Sequence, residues 1–146
     1  MKLKEQVLSI EQVQELKELG FDVEKNASMC WVAYTSDEEP YEKEYSLSIL
    51  DEFCYESASL EPTPTMSIGD IISVLPPHIY PSIYHKKYGK EIEQTHILVM
   101  YPHSNFGCLI RYKHHNQDTF VFESTEKPYI KALFDTLKWV IENKYL

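Results

Sequence analysis

The sequence predicts an α+β domain in which helices at the N- and C-termini, and one short helix in the middle, pack on one face of a mainly antiparallel sheet. Three observations carry that expectation. A capped amphipathic segment opens the chain near Ser9, a long apolar stripe closes it beyond Pro128, and strand-like runs joined by short polar connections lie between them. With 146 residues, 43% of them apolar, residues 1–146 suit one globular domain, which at this size buries roughly 70% of the surface its unfolded chain exposes.

The first helix is specified at both ends. Ser9 is placed to cap it, Gln12 to complete a capping box, and Leu8 to staple onto Val13. Ile10, Val13, Leu16 and Leu19 form a helical stripe, Gly20 suits a left-handed exit, and Phe21 can fold back on Leu16. Met29 to Tyr34 (MCWVAY) then reads as a buried strand, followed by an acidic loop through Pro40. Tyr45 to Leu50 (YSLSIL) alternates with period two, which turns Tyr45, Leu47 and Ile49 inward.

Pro62 and Pro64 read as breaks before a short helix within Met66 to Leu75, where Ser67 and Asp70 form a variant capping box. Ile68, Ile71, Ile72 and Leu75 supply its apolar spacing, and Pro76 and Pro77 stop it. Pro76 to Tyr88 shows no period and is predicted irregular. Thr95 to Tyr101 (THILVMY), Phe106 to Lys113 (FGCLIRYK) and Thr119 to Glu123 (TFVFE) read as an antiparallel meander at the centre of the sheet. A connecting loop of Pro102 to Asn105 sets Tyr101 opposite Phe106 and His96 opposite Arg111, with His114 on the other face. In the last helix Ile130, Leu133, Phe134, Leu137, Val140 and Ile141 form a wide core-facing stripe.

The opening LSIEQVQELKELGF, the PTPT lead (Pro62 to Thr65) into a short apolar helix, and the meander followed by a terminal helix resemble a loose group of short uncharacterised α+β proteins from bacterial genomes and their phages. The resemblance covers residues 9–21, 62–75 and 95–143 and resides in caps and stripes. It implies an accessory role in a bacterium or mobile element. The group has no assigned activity, so no catalytic residue carries over. This chain departs from the group in reading IISVLPP where an amphipathic segment with Trp and Arg is expected.

Charge is the most distinctive property of the chain. Of a net charge of −9, a balance of −8 arises between Asp37 and Glu61, where nine acids face only Lys43. Farther on, Lys86, Lys87, Lys90, Arg111 and Lys113 outnumber Glu91 and Glu93, and five of the six histidines fall in the same interval. Such a field favours a basic protein as partner and disfavours phosphate backbones. Asp37, Glu38, Glu39, Glu42 and Glu44 are the candidate binding residues, on a segment whose charge resists burial. A phosphate-mimicking acidic face that blocks a nucleic-acid-binding protein is one rival reading. A small enzyme whose site assembles from dispersed His and carboxylate residues is another.

Residue patterns for chemistry are weak. No GxSxG, P-loop or GxGxxG occurs. Cys30, Cys54 and Cys108 are odd in number and lack CxxC spacing, and Cys54 is flanked by acids that would raise its pKa. The predicted register separates His96 from His114, and His114 and His115 read as solvated turn residues, so neither metal nor cofactor is expected and no catalytic residue is assigned. Direct nucleic-acid binding is not expected either, despite a thin basic stripe of Lys86, Lys87 and Lys90 with Tyr84 and Tyr88. No apolar run reaches membrane-span length and no signal-peptide core opens the chain, which predicts a cytoplasmic protein with no membrane partner.

Overall fold

Backbone donors left open at the start of the first helix are met by the residues the sequence singles out. In the computed structural model, which describes residues 2–34, 44–51, 62–103 and 107–146, helix α1 (Ile10–Glu18) opens on a closed capping box. The Gln12 N–H donates to Ser9 Oγ at 3.2 Å, and the Ser9 N–H donates to Gln12 Oε1 at 2.9 Å. At the other end Gly20 takes φ 83° and the Phe21 N–H reaches back to the Leu16 carbonyl at 3.0 Å. The buried stripe is narrower than its spacing suggests: Val13 and Leu16 are buried, Ile10 is half-buried and Leu19 is exposed. Ser9→Ala should cost about 0.5–2 kcal/mol in a denaturant titration followed by circular dichroism, because a capped donor loses its acceptor.

The fold is α+β, and the chain divides into two compact units, Met1–Val74 and Leu75–Leu146. In the first, α1 and α2 (Val23–Asn26) accompany an antiparallel sheet ordered β2 (Glu44–Ile49), β1 (Met29–Tyr34), β3 (Thr63–Thr65). Strand β3 corrects the reading of Pro64 as a breaker, while Pro62 lies just before the strand. Thr63–Thr65 pairs with Trp31–Met29 at the sheet edge, where Pro64 can turn its missing N–H away from the ladder. Helix α3 (Ile68–Val74) follows, capped as expected: the Ser67 N–H donates to Asp70 Oδ2 at 2.8 Å and the Asp70 N–H to Ser67 Oγ at 3.2 Å. Asp70 Oδ2 also accepts from the Ser28 N–H and Oγ, at 3.1 and 2.6 Å, which ties the helix to the entry of β1.

The face predicted for β2 is right and its burial is not. Tyr45, Leu47 and Ile49 lie opposite Ala33, Trp31 and Met29, yet Tyr45 is 40% and Ile49 67% exposed. The reason is position in the sheet: α1 and α2 pack against β3, and β2 is the opposite edge.

The second unit corrects the irregular assignment of 76–88. His78–Ile79 is a short strand, β4, and Ser82–His85 (β5) with Lys90–Glu93 (β6) forms a separate hairpin. Its turn closes with the Tyr88 and Gly89 N–H groups on the His85 carbonyl, at 3.1 and 2.9 Å, and with Gly89 at φ 63°. The alternation that builds it, Ile83 opposite Ile92, is hidden in the sequence by the surrounding Pro and Tyr. Strands β7 (His96–His103), β8 (Gly107–His114) and β9 (Phe120–Ser124) form the expected meander, with β4 on its outer edge.

Helix α4 (Tyr129–Glu142) packs on β8 and β9. Ile130, Leu133, Phe134, Leu137 and Val140 are buried as predicted, and Ile141 is half-buried. Trp139 stacks on Phe122 and Tyr112, with centroids 4.8 and 5.8 Å away. Tyr112, itself fully buried, donates its hydroxyl to the Pro76 carbonyl at 2.8 Å. The terminal helices thus serve different sheets, α1 against β3 and α4 against β8 and β9, where the sequence predicts one shared face.

Candidate functional site

Of the five acids proposed for binding, Glu44 opens β2 and is exposed, paired through its backbone with Tyr34. Asp37, Glu38, Glu39 and Glu42 lie outside the described residues.

The histidines are rearranged by the register. Strands β7 and β8 continue to His103 and Gly107, so Tyr101 faces Leu109, Val99 faces Arg111, and His96 faces His114. The shift from the predicted register is three residues. Being odd, it carries His114 onto the same sheet face as His96. Both side chains are buried, their ring centroids are 5.4 Å apart edge to face, and the exposed His115 stacks on His114 at 4.7 Å.

Hydrogen bonds assign the tautomers. His96 Nδ1 lies 3.0 Å from the Gln94 carbonyl, and His115 Nδ1 lies 3.2 Å from the Thr95 carbonyl, so both nitrogens donate. His114 Nδ1 instead accepts the Asn116 N–H at 3.1 Å. His114 is therefore held as the neutral Nε2–H form, and burial together with His115 and His96 pushes its pKa below the usual histidine value. A proton-bearing Nε2 is no metal ligand, and among the described residues no three His, Cys, Asp or Glu side chains are grouped to hold a metal.

Among the described residues neither thiol has the setting of a nucleophile. Cys30 is buried in β1, and burial pushes the Cys108 thiol up, opposite to what thiolate chemistry needs. Cys54 lies outside the described residues.

Two surfaces among the described residues bear on binding. The β5–β6 turn exposes Lys86, Lys87, Tyr88 and Lys90, with Lys87 Nζ 5.7 Å from the Tyr88 ring centroid, but Glu91 faces Tyr84 and Glu93 faces Ser82 on the strands behind it. Basic and acidic groups thus alternate there, and no continuous cationic track forms. In the first unit a groove of about 220 Å³ runs between the first turn of α1 and the sheet, lined by Ser9, Ile10, Glu11, Trp31 and Tyr45. The β1–β2 register puts Tyr45 diagonally next to Trp31 on one face. Trp31 is pinned by its indole N–H, which donates to the Leu8 carbonyl at 2.9 Å, and that carbonyl also accepts from Thr65 Oγ1 at 2.8 Å. The sequence predicts Tyr45 facing inward; that it shares a face with Trp31 and that α1 leaves a gap over them are visible only in three dimensions.

These features define an acidic α+β protein of two compact units, the first of which carries a groove lined by aromatic and carboxylate groups. No family model matches the chain, and no curated protein or solved structure matches it. Among the described residues no helix is long and apolar enough to cross a membrane.

Proposed function

We propose that this chain is a non-enzymatic, cytoplasmic accessory protein of bacterial or phage origin that binds a basic protein partner through its acidic N-terminal unit. The observation that carries this reading is the division of charge along the structural boundary. Residues 1–74 hold sixteen Asp and Glu against five Lys, a net −11, whereas residues 75–146 hold seven against nine Lys and Arg, a net +2. One half of the molecule therefore supplies the whole negative field. A field of one sign steers a partner of the other sign during encounter and sets its orientation before contacts form.

The test neutralises Asp37, Glu38, Glu39, Glu42 and Glu44 together as Asn or Gln. Thermal stability should stay close to wild type, because so charged a segment resists burial and exposed charges contribute little to stability. Capture of basic proteins from a bacterial extract should fall sharply at low ionic strength, and the difference between the two proteins should vanish near 1 M salt, where the Debye length is about 3 Å. Equal capture by the folded variant at low salt defeats the reading.

A further inference from the structure

We propose that the groove between α1 and the β1–β2 pair is the seat for a lysine or arginine side chain presented by the basic partner. The inference deepens the reading above and rests on it. Size narrows the occupant first: about 220 Å³ is below the roughly 300–1,000 Å³ of sites that enclose whole small molecules, and suits a single side chain. Composition narrows it further. Tyr45 remains 40% exposed, so its ring is open to a partner, while the nearly buried Trp31 and Ile10 form an apolar floor that a (CH₂)ₙ stem can cover.

Charge then selects the sign. Glu11 is the carboxylate among the described residues of the groove lining, and hydrogen bonds from its own backbone N–H and from Ser9 hold its carboxyl below the usual range, so it stays anionic. The positive end of α1 opposes a cation by roughly half a charge, and less than that where Ser9 and Gln12 already engage the first donors. Glu11's full negative charge outweighs it, and the net −11 of the unit adds in the same direction. A cation seated here meets an aromatic face and a carboxylate at once, the pairing by which proteins hold ammonium and guanidinium groups.

The experiment uses the full chain and a twelve-residue peptide of alternating lysine and glycine, titrated calorimetrically at low ionic strength, with the Trp31 indole N–H followed by NMR. Wild type should bind and the Trp31 resonance should move. Tyr45→Leu, which keeps apolar bulk and removes the ring, should weaken binding roughly 2- to 30-fold, and Tyr45→Phe should restore it. Glu11→Gln should weaken binding about 2- to 5-fold, more than Glu18→Gln, which makes the same charge change at the far end of the helix. Binding that is insensitive to Tyr45→Leu, or equally sensitive to Glu11→Gln and Glu18→Gln, overturns the groove and leaves the acidic-surface reading standing. No binding by wild type at low ionic strength overturns both.

Discussion

Leu137→Ala should destabilise the protein by about 2–5 kcal/mol, with a clear fall in the denaturation midpoint and loss of α4 packing. Leu137 is fully buried in the middle of that helix, flanked by Leu133, Phe134 and Val140, all at 6% exposure or less. Truncation removes the transfer free energy of its methyl and methylene groups and leaves a cavity, and the surroundings are poorly able to close it. On one side stand the hydrogen-bonded strands β8 and β9, and near them the Trp139 ring is stacked on Phe122 and Tyr112. A conservative Leu137→Met should cost less than about 1.5 kcal/mol, since volume is kept. Urea titration of the three proteins decides the matter; an unchanged midpoint for the alanine variant contradicts the packing of α4 on the meander.

Acidification below pH 6.5 should weaken the fold before carboxylates titrate, and His114→Gln should reduce that dependence. In the folded chain His114 Nδ1 accepts the Asn116 N–H, which only the neutral ring can do. Burial, His115 and His96 together lower its pKa from the ordinary 6.5. With the folded value lowered, the unfolded chain binds more protons between the two values, so stability rises with pH across that window. The contribution is fully present above about 6.5, the unfolded value, and is lost as pH falls through 6.5 toward the folded value. Glutamine keeps an acceptor for the Asn116 N–H and carries no proton to gain. Denaturation midpoints at pH 7.5, 6.5 and 5.5 should decline for wild type and stay flatter for the variant; parallel declines would falsify the assignment of His114.

Legibility followed the range of the interaction. The Ser9–Gln12 and Ser67–Asp70 boxes, the Gly20 exit and the α4 stripe all depend on residues within about one turn of each other, and each appears where the sequence puts it. Failures arose where a distant partner decides the outcome. Pro64 reads as a breaker until β1 provides an edge at which its missing N–H does no harm. The β5–β6 hairpin is concealed because proline and tyrosine density outweighs a four-residue alternation. His96 and His114 were separated by three residues of register, a quantity that no local preference in either strand controls.

The candidate site divides in the same way. Acidity, the absence of catalytic motifs and the common facing of Tyr45, Leu47 and Ile49 are properties of residue order. The groove is not, since it requires β2 at one edge of the sheet, α1 and α2 packed toward the other, and the Leu8 carbonyl holding the Trp31 indole.

By itself the sequence determined the α+β class, the ends of its capped helices, the strands of the meander and the concentration of negative charge, because these follow from short-range hydrogen bonding, periodicity and composition. Only the tertiary structure decided that the strands form separate sheets, that the terminal helices serve different ones, that two histidines meet in the core, and that a gap opens beside Tyr45. The physical reason is that sheet order and register are set by contacts between segments tens of residues apart, where closing the chain costs entropy that only cooperative burial and pairing can offset.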